Sequence, residues 1–395
     1  MKFVFSLFSV LIISIISTPA VGQFQVGQTT ITFNDPDRTG GFGSGGGPGR
    51  QIQTEIYYPA STAGTNVAVA GGTFPIISFG HGFVMTWSAY QNIWEFLVPQ
   101  GYIVAFPRTE GGFSPSHLDF GLDLALVVER MEALNDEQSS LFFGHVAQNA
   151  AAIMGHSMGG GATMLGAATI NVQAVIGLAS AETSTSAIAA AADVTAPMLM
   201  LSGSSDDVTP PAEHQIPIFN ASAALCKYHV TITGGGHCNF ANSNFNCNTG
   251  ELFTSGNITI SRAEQQATMN DYVLPWLNRW LKDDVASLQD FTDLLWTDNR
   301  VTFVENCIAT SVPEFEKEVS VFPNPASDVL NVELDESLMG AQLFLLDAVG
   351  RMVKEEAVLS THTIFNVGGM PSGVYHLIIR KNDEEVIKVR WIKTN

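Results

Sequence analysis

Residues 155–160 form the pattern G-x-S-x-G around Ser157. An apolar run typical of a strand precedes them, and small residues that can form a helix follow them. Glycines flank a serine in this way where a strand turns sharply into a helix, because a Cβ there would clash with the neighbouring backbone. Such a turn exposes the serine hydroxyl and directs the next backbone N–H at the site, so the pattern predicts a nucleophile.

A nucleophilic serine needs a base and a carboxylate that orients the base. A buried strand is predicted at residues 196–202, and Asp206 and Asp207 lie in the loop after it. Val208 and Pro210 follow Asp206 at the spacing of many hydrolase acid loops, which favours this residue as the acid. Asp207 remains the alternative, because an Asx-type turn before proline would suit either residue.

His237 is the candidate base. It comes directly after three glycines that end an alternating strand at residues 228–233. A lone histidine is more often structural. The chain order Ser157, Asp206, His237 is nevertheless the order of the α/β-hydrolase triad, and it favours catalysis.

The loop after an early strand usually supplies a second N–H to the oxyanion hole. Residues 74–79 form such a strand, and Gly80-His81-Gly82-Phe83 follow it. The Phe83 N–H would then lie beside that of Met158, and the Phe83 ring would form one wall of an acyl pocket. We expect Phe83, His156 and Met158 to contact substrate. The alternative is that Gly-His-Gly forms an ordinary turn at the end of a strand.

Strands and helices alternate along the first three quarters of the chain, which predicts an α/β fold with a doubly wound, mainly parallel sheet. The predicted strands are 52–58, 74–79, 102–106, 146–154, 174–178, 196–202 and 228–233, and the predicted helices are 89–99, 122–134, 161–169, 186–193 and 263–282. Pro275 could kink or restart the last helix. The glycine-rich residues 39–50 predict a mobile loop. The interval from Ser157 to Asp206 leaves no room for a large cap, and an uncapped site accepts bulky or polymeric esters.

The start of the chain has the pattern of a secretory signal peptide, predicted at residues 1–22. Lys2 precedes an apolar run over residues 3–16, and small residues follow. No other run reaches membrane length, so we expect no membrane span. The formal net charge of −20 disfavours nucleic acid or an anionic membrane as a partner, whereas a neutral ester substrate is compatible with it.

Four cysteines fit an exported protein and allow three pairings. Pairing Cys238 with Cys247 would pin the loop that carries His237, and it would leave Cys226 with Cys307. The sequence has no C-x-x-C or H-x-x-x-H spacing, so we expect neither a metal nor another cofactor.

The C-terminal part reads as a separate unit. We predict a catalytic domain over residues 23–310, a polar linker at 311–318 and a small all-β sandwich over 319–395. Short alternating strands separated by Gly, Pro and Asn support the sandwich, and they are predicted at 329–334, 342–347, 351–358, 361–367, 373–380 and 385–392.

Residues 50–285 resemble the secreted α/β-hydrolase polyesterases of the cutinase and poly(ethylene terephthalate) hydrolase type, and also the neighbouring dienelactone-hydrolase and chlorophyllase-like enzymes. The matching segments are 57–60, 80–83, 101–104, 155–161, 206–210 and 234–237. The resemblance implies Ser157 as nucleophile, His237 as general base, Asp206 as its partner, and the Phe83 and Met158 amides as the oxyanion hole. Such enzymes often carry a tryptophan after the strand that follows the nucleophile helix, and Ala181 stands there in this chain.

The tail resembles the C-terminal sorting domain of the type IX secretion system of Bacteroidetes. The matching features are Pro323-Asn324-Pro325, residues 347–351, Gly373-Val374-Tyr375 and the basic end. The resemblance implies the secretion machinery as a partner, export and removal of the tail. A carbohydrate-binding sandwich is the alternative, but it would need exposed aromatic residues, and the tail has only one Tyr and one Trp, Tyr375 and Trp391.

These features together predict a secreted serine carboxylic-ester hydrolase that is a monomer and acts through an acyl-enzyme. Its expected substrates are small esters and polyesters, including poly(ethylene terephthalate). A serine peptidase of the same fold is one alternative, and a non-catalytic surface or adhesion protein is another. Retention of serine, acid and histidine together favours an enzyme over a scaffold.

Overall fold

The computed structural model describes residues 24–254, 256–307, 319–334, 338–347, 351–381 and 384–394. The chain divides into two compact units, with the boundary after Cys307. The expected signal peptide, the linker at 311–318 and part of the 347–351 motif lie outside the described residues. No helix in the described part is long and apolar enough to cross a membrane.

The first unit contains an eleven-stranded sheet and eight α-helices among its described residues. The strands are β1 (Gln25–Asp35), β2 (Gly41–Phe42), β3 (Arg50–Ala60), β4 (Gly64–Thr65), β5 (Phe74–Gly80), β6 (Ile103–Pro107), β7 (Val146–His156), β8 (Ala174–Leu178), β9 (Met198–Gly203), β10 (Cys226–Ile232) and β11 (Val301–Cys307). The helices are α1 (Gln91–Leu97), α2 (His117–Ala133), α3 (Met158–Ala167), α4 (Ala187–Ala191), α5 (Gln215–Ala221), α6 (Phe245–Glu251), α7 (Arg262–Leu281) and α8 (Val285–Thr297).

The strand order is β11-β10-β9-β8-β7-β5-β6-β3-β1-β4, and β2 pairs with β3. The six strands from β10 to β6 in this order are parallel, whereas β11, β3 and β1 pair antiparallel at the two sides. The central strands are buried along most of their length because helices cover both faces of the sheet. The predicted doubly wound, mainly parallel α/β fold is therefore confirmed.

The two faces of the sheet build two hydrophobic cores. One core joins the sheet to α1, α7 and α8, with Tyr272, Trp276 and Phe291 fully buried in it. The other joins the sheet to α2, α3, α4 and α5. Helix α7 continues through Pro275 without interruption. It begins with a capping box formed by Ser261 and Glu264.

Several elements differ from those predicted. Strand β1, helix α8 and strand β11 were not predicted, and α2 begins at His117 rather than at residue 122. The glycine-rich segment is not a plain loop, since its Gly41 and Phe42 form β2 and pair with β3. Pairing with another strand decides β1, β2 and β11, and a local sequence pattern does not contain that information.

Two disulfides lie in the first unit. One joins Cys226 at the start of β10 to Cys307 at the end of β11. The other joins Cys238 to Cys247. Of the three pairings that the sequence allows, the structure therefore has the one that pins the His237 loop.

The second unit is all-β in its described residues and has its own buried core, which includes Leu343, Leu377 and Trp391. A three-stranded sheet has the order β12-β13-β16, and a four-stranded sheet has the order β15-β14-β17-β18. The strands are β12 (Val319–Phe322), β13 (Val329–Leu334), β14 (Gln342–Asp347), β15 (Met352–Ala357), β16 (His362–Asn366), β17 (Gly373–Lys381) and β18 (Glu384–Lys393). The predicted small β-sandwich is confirmed.

Candidate active site

Ser157 occupies the sharp turn between β7 and α3. Its backbone has φ of 56° and ψ of −120°, a conformation that a non-glycine residue seldom adopts. The strand and helix approach so closely that a Cβ on Gly155 would lie 2.3 Å from the Gly159 carbonyl oxygen, and one on Gly159 would lie 2.1 Å from that of Gly80. The flanking glycines therefore hold the serine at the carboxyl edge of the sheet.

His237 and Asp206 complete a hydrogen-bonded chain with this serine. The His237 Nε2 atom lies 2.9 Å from Ser157 Oγ, and its Nδ1 atom lies 2.8 Å from Asp206 Oδ2. The His237 and Asp206 side chains are almost completely buried. Because a carboxylate only accepts hydrogen bonds, His237 Nδ1–H donates to Asp206 and Nε2 is left to accept the serine proton.

The second oxygen of Asp206 is held by the turn that follows it. Asp206 Oδ1 accepts the backbone N–H groups of Val208 at 2.9 Å and Thr209 at 2.8 Å. Asp207, the alternative acid, is exposed, whereas Asp206 is buried. The geometry therefore favours Asp206 as the partner of His237.

Thr209 is a site residue that sequence reasoning missed. Its Oγ1 lies 3.0 Å from both Asp206 Oδ2 and His237 Nδ1, and it contacts the Ala179 carbonyl oxygen at 3.1 Å. Gln215 Nε2 donates to the same hydroxyl at 3.3 Å. The signal in the sequence was the position three residues after the acid, where an Asx-type turn brings a short polar side chain back to the carboxylate.

His156 was expected to contact substrate, and the structure corrects this. Its side chain is fully buried behind the triad, where Nε2 lies 3.1 Å from the His237 carbonyl oxygen and Nδ1 lies 2.9 Å from the Tyr90 hydroxyl. A carbonyl only accepts, so Nε2 carries the proton and the Tyr90 hydroxyl donates to Nδ1. Burial, with a smaller effect of the neighbouring His237, holds the pKa of His156 well below its usual value and keeps the ring neutral.

The same tyrosine orients the candidate oxyanion loop. The Gly82 N–H donates to the Tyr90 hydroxyl at 2.7 Å, which fixes the backbone directly before Phe83. Among the described residues, the amide N–H groups of Phe83 and Met158 have no acceptor. Two unpaired N–H groups, one on this loop and one at the N-terminus of α3, are what an oxyanion hole requires.

The exposed side of the candidate site is aromatic. The Phe83 ring is 45% exposed and meets the Phe113 ring edge to face, with 6.4 Å between ring centroids. Phe113 is 86% exposed. On the other side, Ala181 donates its N–H to the Ser157 carbonyl at 2.9 Å and offers no aromatic ring.

Two further contacts hold the loops in place. The disulfide from Cys238 to Cys247 anchors the residue after His237, and Glu251 accepts the Cys238 N–H at 3.1 Å.

The described residues contain no group of three His, Cys, Asp or Glu side chains suited to hold a metal ion.

A buried ion-pair network supports the loop that carries Phe113. Arg50 contacts Asp123 at 2.7 Å and Glu110 at 2.6 Å, and the Thr109 hydroxyl donates to Asp123 at 2.6 Å. Burial opposes the charge of Arg50, but hydrogen bonds from the guanidinium to both carboxylates raise its pKa above the usual value. Glu110 also accepts the Ser116 N–H at 2.6 Å, so it closes the loop that carries Phe113.

Comparison with known families gives two matches. A family described as PET hydrolase-like matches residues 14–295, which is most of the chain. A family described as a secretion system C-terminal sorting domain matches residues 320–393.

Proposed function

The chain belongs to the PET hydrolase-like family, and from that premise we propose that it is a serine carboxylic-ester hydrolase that cleaves esters and polyesters through an acyl-enzyme. Membership of the family implies an ester or polyester hydrolase. The sorting domain at the C-terminus indicates secretion or cell-surface attachment and implies contact with the type IX secretion machinery.

The hydrogen-bonded chain from Ser157 through His237 to Asp206 carries this proposal. Its two links measure 2.9 Å and 2.8 Å, which is within the range for general-base catalysis. The unpaired amides of Phe83 and Met158 supply the electrostatic stabilisation that the same reaction needs.

In the proposed reaction, Ser157 Oγ attacks the ester carbonyl carbon while His237 Nε2 takes the serine proton. Asp206 stabilises the resulting imidazolium, and the amides of Phe83 and Met158 bind the oxyanion. His237 then gives its proton to the departing alcohol as the C–O bond breaks, leaving an acyl group on Ser157. A water molecule, deprotonated by His237, attacks this acyl group and releases the carboxylic acid and the free serine.

The surroundings of the triad support a broad choice of ester. The elements between Ser157 and Asp206 are short and form no large cap, so a long chain can approach. Phe83 and Phe113 offer an apolar wall for an acyl group. Ala181 supplies no second aromatic wall, and we propose short-to-medium acyl esters and aliphatic polyesters as the main substrates, with poly(ethylene terephthalate) as a further one.

A panel of p-nitrophenyl esters of increasing acyl length, together with polyester films, tests the proposal. The wild-type chain should hydrolyse the soluble esters, and Ser157→Ala should remove nearly all of this activity, because triads of this kind contribute roughly 10⁶-fold to kcat. Circular dichroism and the unfolding midpoint should show that the variant is folded. Retention of more than about a tenth of wild-type activity by Ser157→Ala would refute the role of this serine.

A further inference from the structure

A second cleft lies beside the candidate oxyanion loop. Its volume is about 460 Å³, which is within the usual range for a small-molecule site. Phe42, Met85, Trp87 and Arg108 line it, together with residues 110–112, 114 and 115. None of the triad residues lines this cleft.

Arg108 stands between two aromatic rings in this cleft. Its guanidinium carbon lies 4.9 Å from the Phe42 ring centroid and 4.2 Å from that of Trp87, which makes two cation–π contacts. The Nη1 atom is engaged, since it donates to Gln53 at 2.8 Å and to Glu55 at 3.0 Å. Within the described residues, Nε and Nη2 have no acceptor, so these N–H groups can donate to a ligand.

The glycine-rich segment holds Phe42 in place over Arg108. Gly41 has φ of +85°, and a Cβ on it would lie 2.0 Å from the Gln51 carbonyl oxygen. Gly43 has φ of +105°. Both neighbours of Phe42 therefore need the left-handed conformation that favours glycine. The segment keeps a ring that is 46% exposed in a fixed position, where it adds nothing to the buried core.

The cleft lies next to the aromatic wall of the candidate active site. Residues 110–112, 114 and 115 line the cleft, and Phe113, whose ring meets that of Phe83, belongs to the same loop. Met85 lines the cleft and contacts the Tyr90 hydroxyl at 3.3 Å. A chain whose acyl group rests against Phe83 would have to pass Phe113 to reach the cleft.

We propose that this cleft, defined by Phe42, Trp87 and Arg108, binds a second ester unit of a polymeric substrate while another ester of the same chain lies at Ser157. An ester carbonyl oxygen accepts from Arg108 Nε or Nη2, and an aromatic or methylene unit next to it packs on Phe42 and Trp87. Because Glu55 and Glu110 already offset the cations at this cleft, a neutral ester fits better than a free carboxylate. The inference rests on the proposed ester hydrolase function.

Two variants test the cleft against substrates of two sizes. Phe42→Ala removes one ring, and Arg108→Gln removes the guanidinium. The ratio of the rate on poly(ethylene terephthalate) or polycaprolactone film to kcat/KM on p-nitrophenyl butyrate should fall about threefold to tenfold in each, as expected for loss of one aromatic or cation–π contact. Phe42→Leu, which retains bulk, should lose less than Phe42→Ala.

Trp296→Ala is the matched control. Trp296 is 72% exposed on α8, and its ring packs on Phe303 of β11 at the opposite side of the sheet. A similar fall of the ratio in this control would mean that exposed aromatic area in general promotes adsorption to the film, and it would overturn the proposal. An unchanged ratio in folded Phe42→Ala and Arg108→Gln would overturn it as well.

The proposed function and the second cleft fail in different ways. If Ser157→Ala retains activity on p-nitrophenyl butyrate, the hydrolase mechanism itself is wrong. If Ser157→Ala is inactive and the cleft variants keep the wild-type ratio, only the second ester site is wrong.

Discussion

The inner side of the candidate active site consists of buried polar groups, and its outer side consists of exposed aromatic rings. On the inner side, Asp206, His237, His156 and Tyr90 are buried and joined by hydrogen bonds of 2.7 to 3.1 Å that reach the candidate oxyanion loop. On the outer side, aromatic rings such as Phe113 stand exposed and meet one another only through ring contacts.

This difference separates two tasks. A buried polar network tolerates little change, because a group that loses its partner there remains unsatisfied and desolvated. Exposed rings give non-directional contacts that many acyl groups can use. We therefore expect inner substitutions to change kcat for every ester, and outer substitutions to change the choice among esters.

Among the substitutions proposed here on the inner side, the largest effect should come from the acid. Asp206→Asn should lower kcat by about 10²- to 10⁴-fold, because His237 loses the partner that orients it and stabilises its cation. The exposed Asp207 provides the matched control, and Asp207→Asn should lose far less. Steady-state kinetics on p-nitrophenyl butyrate measures both variants, and the reverse ranking would assign the acid role to Asp207.

The stability of the inner side should depend on pH through His229. Its Nε2 lies 2.7 Å from Ser202 Oγ, and that hydroxyl donates to Gln215 at 3.1 Å. Gln215 in turn donates to the Thr209 hydroxyl. Burial lowers the pKa of His229 to about 4. The fold keeps the His229 ring neutral. Its contribution to the free energy of unfolding is therefore fully present above the unfolded pKa of about 6.5 and is lost as the pH falls towards 4.

This single group should account for about 3 kcal/mol of the stability lost between neutral pH and pH 4, since each pKa unit corresponds to about 1.4 kcal/mol. Urea unfolding of wild-type and His229→Gln at both pH values measures the difference. The variant should lose less stability on acidification than wild-type. Equal losses in the two chains would mean that His229 is not held neutral by the fold.

A smaller effect is expected from the link between the candidate oxyanion loop and the His237 loop. Tyr90→Phe and His156→Ala should each lower kcat about threefold to thirtyfold with little change in KM, because each leaves buried groups without partners. His156→Gln should recover part of the loss, since its amide can still donate to the His237 carbonyl. The two sites share one hydrogen bond, so the double variant should lose less than the product of the single losses. Fully multiplicative losses would contradict the link.

The smallest effect should follow removal of the second unit. Every residue of both sides of the site lies within residues 24–307, so a chain that ends at Ser311 should fold and keep kcat on soluble esters within about twofold, or roughly 0.4 kcal/mol in barrier. In the native host, deletion of the tail should prevent export to the medium. If the shortened chain lost activity only on polyester film, the tail would act as a polymer-binding module.

The sequence predicted the parts of the site that local backbone geometry determines. The turn around Ser157, the acid after a buried strand and the histidine after three glycines each have a local pattern, and the structure brings all three together. The role of His156 could not be predicted in this way. Its direction depends on Tyr90, a partner 66 positions away in the sequence.

The same distinction holds for the fold. The parallel strands were predicted from their apolar runs, whereas β1 and β11 were missed because their surfaces are mixed and their partners are remote. The network of Arg50, Glu110 and Asp123 joins residues up to 73 positions apart, and no local pattern in the sequence marks it.

Covalent labelling of Ser157 tests the central claim most directly. A fluorophosphonate reacts with an activated serine by forming a P–O bond to Oγ and releasing fluoride. We predict one adduct per chain, on the peptide that contains Ser157, with loss of ester hydrolysis in proportion to labelling, and no adduct in Ser157→Ala. An adduct on another serine, or full activity in a chain labelled at Ser157, would contradict the account.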